Sequence, residues 1–416
     1  MSAQSQCSHS VMALLEGNKH LANGIEDYYM NCLVTLACRN FSAPAVRCAH
    51  MMARGLAGNG CNVDFVVGGS GLYIGKDHEG CIDYHFHCLA STNEKRGSAL
   101  AHFLMLRNGI INKRWDVIVF YSVGLQFISL ISLARRHGIK IVYVQGDHYV
   151  PLPGMNTLDR GKLAIINIID CYLSRRSNLN ALTGTLLLSE HFHKQAPNVP
   201  IHLSYPPIDT DLFSKGDATK IRKYYGLLDK KIIVYCGSVG SLEGIEVLLN
   251  AMYIVSKSNT KTHLVIAGKL GVIDHALVQQ IDYPKLAEDL GIFNRVSFTG
   301  FIDQNEVRGL LCAADLLIMP KLNHRRNAVA APIKISEYLA SGRPVIASMV
   351  GDIATRFQDG VELRFCVPGD SDDLAEKILQ MLDEHEATKK IAANGQAYAR
   401  QQFDYLTWGS QVLKLI

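Results

Sequence analysis

The residues best placed for chemistry lie between Asp315 and Ser348, where an apolar run DLLIMP is followed by KLNHRRNAVAA, PIKISEYLASG and RPVIAS. At helical spacing Lys334, Glu337 and Ser341 share one face of PIKISEYLASG, and Ile335 and Leu339 share the other. One face packs and the other meets a ligand. Unpaired backbone N–H groups at a helix start favour an anion, and the loop before it carries His324, Arg325 and Arg326, so the stretch suits a phosphorylated ligand. Glu337, one turn further in, can accept hydrogen bonds from two neighbouring hydroxyls such as those of a ribose. Lys334 is the expected principal ligand of a diphosphate. Lys269, which follows the strand THLVIAG at its carboxyl end, or one loop arginine is the expected second. The alternative for Lys334 is an intrahelical pair with Glu337 at three-residue spacing.

These residues need strands and helices to hold them. Asp315–Met319 and Val345–Ala347 read as buried parallel strands, with Pro332 suited to the first turn of the helix between them and Gly342 and Pro344 ending it. The same rhythm starts at NCLVTLAC, a strand from Asn31, and continues through the helix AVRCAHMMARGLAGNG and the strand NVDFVVGG. Strand, helix and strand in close succession make a βαβ unit and hence a parallel sheet. DVIVFYS, a helix near Gln126–His137 and IKIVYVQGDHYV extend it. The last strand runs into Asp147 and His148. Ligands of an open α/β sheet bind beyond the carboxyl ends of the strands, so these two residues are expected near the reacting group, the alternative being a turn with a surface histidine. KIIVYCGS, GIEVLLNAMYIVS, THLVIAGK and RVSFTGFI restart the pattern in a second doubly wound domain.

Composition narrows the class. A chain of 416 residues with 48% hydrophobic and 19% charged residues implies two globular domains. The net charge of +4 is spread without a dense basic stripe, which argues against nucleic acid as a partner. Eleven cysteines without a CxxC pair fit free thiols in a reducing cytoplasm. No signal peptide is evident, and the apolar helices around Leu125–Ala134 and Leu163–Leu173 are too short to span a bilayer. Basic pairs at Lys95–Arg96, Lys113–Arg114 and Arg175–Arg176 allow a weak peripheral contact with a membrane. Cys81, His85, His87 and Cys88 read as an alternating strand without a metal. The two DxD spacings, Asp209–Asp211 and Asp370–Asp372, read as linker and helix cap. No metal is expected.

PIKISEYLASGRPVIAS resembles the donor-site helix of the GT-B glycosyltransferases, in particular the retaining family 4, whose motif holds two Glu residues separated by seven positions. Glu337 falls on the second, which in that family binds the nucleotide ribose; Val329 stands where the first would be. The resemblance implies an α/β protein of two Rossmann-like domains facing a cleft, with a C-terminal helix crossing back to the first domain. Residues 1–29 are an unassigned extension, 30–213 the first, acceptor-side domain, 214–398 the nucleotide-sugar domain and 399–416 the returning helix. IHLSYPPIDTDLF resembles the family's interdomain linker.

The resemblance places Gly237, Ser238, Lys269, Gly300, Phe301, Arg325, Ala331, Lys334 and Glu337 at the donor, and Phe41, Ser42 and Arg47 at the acceptor-side loop. It places Asp147 and His148 near the transferred sugar. The position after Gly237 is usually Arg and the one before Gly244 usually Lys; here they are Ser238 and Glu243, so two cations are lost and an anion is gained. The implied reaction is transfer from a nucleoside diphosphate sugar to an acceptor hydroxyl, with retention and without metal or other cofactor. Another GT-B enzyme, such as a phosphorylase or epimerase, and a non-catalytic assembly partner are the alternatives. Ser238, Glu243 and Val329 favour the last.

Overall fold

A computed structural model describes residues 29–37, 44–68, 97–122, 125, 127–146, 156–269, 281–329 and 331–416. Phe41, Ser42, Asp147, His148 and the stretch Cys81–Cys88 lie outside them. Branched apolar runs set the strands of the first domain, which are β1 (Asn31–Ala37), β2 (Asn62–Gly68), β3 (Val117–Tyr121), β4 (Lys140–Gln145), β5 (Leu179–Thr183) and β6 (Ile201–Ser204). They form one parallel sheet in the order β2-β1-β3-β4-β5-β6. Between them run α1 (Pro44–Gly58), α2 (Gly97–Ile111), α3 (Phe127–Arg136), α4 (Thr157–Arg176) and α5 (Leu186–Gln195). The period of two sorts the β1 side chains. Val34 and Leu36 pack with Met52 and Leu56 of α1, whereas Leu33 joins Phe127 and Leu130 of α3 on the other face.

β6 lies in the segment expected to be linker. Its residues alternate between half-buried and buried and pair with β5, so IHLS completes the first sheet before Pro206 and Pro207 end it. The next helix, α6 (Thr210–Ser214), packs on the second domain, which moves the crossing ahead of the expected boundary at 213 to Tyr205–Asp209.

The second domain follows with α7 (Ala218–Tyr224), β7 (Lys231–Cys236), α8 (Ile245–Ser258), β8 (Thr262–Ala267), α9 (Tyr283–Asp289), β9 (Val296–Gly300), α10 (Gln304–Ala313) and β10 (Leu316–Met319). α11 (Arg325–Val329), α12 (Ile333–Ala340), β11 (Val345–Ser348), α13 (Ile353–Arg356), β12 (Arg364–Cys366) and α14 (Ser371–Asp383) complete it. Its parallel sheet has the order β12-β11-β10-β7-β8-β9. The direction of winding reverses between β7 and β10, and a crevice opens beyond their carboxyl ends. Gly237 leaves one of these strands and Pro320 the other, which brings the β7 turn and the approach to α12 together.

α15 (His385–Gln402) packs on α12, and α16 (Tyr405–Leu415) returns to α1. The two interdomain crossings lie side by side: Ile208 N–H donates to Phe403 O at 2.9 Å and Tyr405 N–H to Ile208 O at 3.0 Å. Arg54 of α1 pairs with Asp209 at 2.9 Å and stacks on the Tyr405 ring at 4.6 Å. α16 approaches α1 through two glycines, since a Cβ on Gly409 would stand 2.2 Å from the Gly55 carbonyl oxygen. Gly409→Val is therefore expected to destabilise the protein by about 1–3 kcal/mol through overpacking. Thermal unfolding checks this, and a melting temperature equal to the parent's contradicts the close contact.

Candidate functional site

Three strand ends are knitted into one rim. Gly237 N–H donates to Ala267 O at 2.8 Å and Gly268 N–H to Gly300 O at 2.8 Å. Gly268 has φ 148°, and a Cβ there would stand 1.7 Å from Gly237 O, so the two turns meet only because this residue has no side chain. Lys334, in the first turn of α12, lies directly against the first of them: a Cβ on Gly237 would come 2.9 Å from its Nζ.

Lys334 Nζ donates to Tyr235 Oη at 2.9 Å and to the Glu243 carboxylate, and it lies over the Tyr235 ring. Glu243 also accepts from Lys321 Nζ at 3.0 Å, and Lys321 donates to Asn327 Oδ1 at 3.1 Å. Asn327 in turn donates to the carbonyls of Leu242 and Leu322. Burial alone would push the Glu243 carboxyl up, but the Lys334 and Lys321 ammoniums outweigh it and hold it at about 2. The cluster carries one net positive charge on the floor of the crevice. Lys321 and Tyr235, which complete it, are not marked by any motif.

Glu337 is buried, where the helical period gave it a polar face. Every residue of α12 from Lys334 to Ala340 is buried, and Arg47 of α1 reaches across from the first domain to place Nη1 3.9 Å from Glu337 Oε1. Burial pushes the Glu337 carboxyl up to about 7 against the opposing pull of Arg47 and Lys334. Lys334 bonds to Glu243 and not to Glu337, so the alternative of an intrahelical pair gives way to an ion pair between α12 and the turn that precedes α8. Glu243, read from sequence as an anion facing the phosphates, is instead neutralised by two lysines.

The other candidates sit around this floor. Ser238 is exposed, with its carbonyl accepting from Tyr235 Oη at 2.5 Å. Lys269 and Arg325 are exposed at the rim, Ala331 is half-buried, Gly300 turns the end of β9 at φ 69° and Phe301 beside it is 82% exposed. The segment expected as an irregular loop contains the short helix α11, whose Arg326 N–H donates to His324 Nδ1 at 3.2 Å. Val329, in place of a carboxylate, offers its carbonyl to Thr185 Oγ1 of the first domain at 3.3 Å.

In the first domain the end of β4 carries a buried network. Tyr143 Oη donates to Asp170 Oδ1 at 2.5 Å and Gln145 Nε2 to the same oxygen at 3.0 Å. Burial pushes Asp170 up to about 6 although both hydrogen bonds oppose it. Both DxD stretches act as caps, Asp209 at α6 and Asp370 at α14. Among the described residues there is no group of three or more His, Cys, Asp or Glu able to hold a metal ion, and no helix is long and apolar enough to cross a membrane.

Residues 230–384 match a family model described as Glycosyl transferases group 1. A D-inositol 3-phosphate glycosyltransferase of Mycolicibacterium smegmatis is 30% identical over 194 residues, 46% of this chain and 42% of that protein. An uncharacterized glycosyltransferase of Methanocaldococcus jannaschii is 24% identical over 371 residues, 87% of this chain and 90% of that one. The chain spans about half the length of the first curated relatives it matches. Among solved structures, Anabaena HepE in complex with UDP superposes with a TM-score of 0.65 at 20% identity, covering 92% of this chain and 99% of that one. A glycosyltransferase from Rickettsia africae gives 0.67 at 15% identity, over 93% and 97%. The fold is GT-B, with both sheets in place.

The buried Glu337 has a consequence for stability. The unfolded chain ionises this carboxyl near 4.5 and the folded chain near 7, so the folded state keeps the proton across that interval. Its contribution is present in full below the lower value, is lost as pH rises through the upper one, and leaves the ligand-free protein less stable by about 3 kcal/mol above it. Glu337→Gln is expected to be the more stable protein at pH 8 and to converge on the parent near pH 4.5. Melting curves of the two that stay parallel across this range contradict the burial cost.

Proposed function

We infer, from a chain whose residues 230–384 form a group 1 glycosyltransferase domain on a GT-B scaffold, that it transfers a glycosyl group from a nucleoside diphosphate sugar to an acceptor hydroxyl. The observation that carries this is the crevice floor at the switch point of the second sheet. A buried carboxylate, Glu337, stands there one turn from a buried ammonium, Lys334, which lies against the Gly237 turn. The carboxylate suits the paired hydroxyls of a ribose and the ammonium suits a phosphate. UDP and UDP-glucose are bound by HepE, which shares the fold.

The leaving nucleoside diphosphate develops negative charge as the glycosidic bond breaks. Fixed cations and the unpaired N–H groups at the start of α12 stabilise it without reorganisation. Lys334 is the principal diphosphate ligand in this reading, with Lys269 or Arg325 from the rim. His148 and Asp147 serve the transferred sugar from the first domain. Retention follows the family resemblance, and a fixed cation in the place of a metal follows the use of Asp209 and Asp370 as caps. The buried thiols of Cys32, Cys48, Cys236, Cys312 and Cys366 support a reducing, cytoplasmic setting. Exposed Leu158, Ile165 and Ile168 on α4, near Arg160 and Lys162, support peripheral contact with a membrane. Equal sedimentation with neutral and anionic vesicles at low salt would count against that contact.

The capture of Lys334 by Glu243 favours one competing reading, a non-catalytic binding protein on the same scaffold. Release of nucleoside diphosphate that depends on an added acceptor separates the two. Glu337→Gln is expected to weaken nucleoside diphosphate binding by about 1.5–3 kcal/mol, the size of a charge-assisted hydrogen bond. Calorimetry measures it, and an unchanged affinity removes Glu337 from the ribose. His148→Ala is expected to lower turnover more than donor affinity, and wild-type turnover returns that residue to a surface turn.

A further inference from the structure

The second domain lacks positive charge where the donor phosphates are expected. Lys334 and Lys321 share Glu243, which leaves one net charge, and Ser238 brings none. Lys269 and Arg325 are exposed, where water and salt screen them. A nucleoside diphosphate brings at least two negative charges to this place.

Arg47 lies on the facing wall. It belongs to the first turn of α1, beyond the carboxyl end of β1, and its guanidinium crosses to the second domain. At 3.9 Å from Glu337 Oε1 it is beyond hydrogen-bond distance, so the contact commits none of its N–H groups. Its Nε–H is buried and has no hydrogen-bond partner. Its charge also reaches Cys236, where it partly offsets the effect of burial on the thiol one residue before Gly237. A cation with open donors thus stands beside Glu337 and within electrostatic reach of Cys236, the residue before the Gly237 turn.

We propose that Arg47, placed by sequence with the acceptor-side loop, is a ligand of the donor diphosphate supplied by the opposite domain, and that it takes up the charge missing at Ser238 and Glu243. The planar fork of a guanidinium pairs with two phosphate oxygens at once, which a lysine at the same place cannot do. Two walls of the cleft then grip one ligand. A nucleotide with a β-phosphate engages both, and a monophosphate engages chiefly the wall that bears Glu337. The proposal rests on the transferase reading but fails separately from it.

The test uses the full chain. Calorimetry with UDP, GDP and ADP and the matching monophosphates first finds the base that binds tightest. With that base, Arg47→Met is expected to lower diphosphate affinity at least tenfold and monophosphate affinity less than threefold, with Arg47→Lys falling between parent and Met variant. The diphosphate loss is expected to persist when Arg47→Met is made in the Glu337→Gln background. Equal losses for both nucleotides, or a loss that vanishes in that background, reduce Arg47 to a positioning partner of Glu337 and overturn the proposal. Unchanged affinities overturn it too while leaving the transferase reading intact. A parent that binds none of these nucleotides overturns both. Arg47→Gln, closer in shape and polarity, replaces the Met variant if that one melts well below the parent.

Discussion

The site depends on one half-buried carboxylate shared by two ammoniums. Glu243 comes from the short turn after β7, Lys321 from the end of β10 and Lys334 from the start of α12, so a single charge network ties together the three segments that meet at the switch point. Such a network is a poor source of net stability, because desolvating three charges offsets most of their attraction. Its value is geometric. Removing Glu243 would leave two ammoniums side by side without their shared carboxylate, so the loop between β10 and α12 is confined to arrangements that keep all three in contact. Asn327 adds a neutral brace by donating to carbonyls on both sides of the cluster.

The second constraint is the junction. Both crossings between the domains are held against each other by backbone hydrogen bonds at Ile208, and Thr210 Oγ1 donates to Asp404 at 2.6 Å beside them. Away from this hinge, polar contacts between the domains among the described residues include Thr185 with Val329 and Arg47 with Glu337. The arrangement is stiff at the back and lightly latched at the front, which suits a cleft that must admit a ligand and then surround it.

Much of this fold was legible because parallel strands buried on both faces are continuous apolar runs. VIVFY of β3 and LLIM of β10 are buried at every position, and both were found from composition alone. β6 was missed because IHLS is short, half polar and followed by two prolines, and its pairing with β5 is decided by a neighbour distant in sequence. The site was half legible for the same reason. Helical spacing put Lys334 and Glu337 on one face, but spacing within a helix says nothing of what covers that face. Glu337 lies in a helix buried from Lys334 to Ala340, and its charged neighbour Arg47 comes from the other domain. The sign of Glu243 misled because a charge read along the chain has no partners, and its two lysines arrive from segments far along the chain.

Val329 shows what that difference between chain and space implies for chemistry. A carboxylate there would stand at the end of a short helix that already meets the first domain, adding negative charge to a cleft whose floor carries one net positive charge. That net charge holds only while Glu337 keeps its proton; once it is ionised the two lysines are matched by two carboxylates, and a further anion would make the floor repel phosphate.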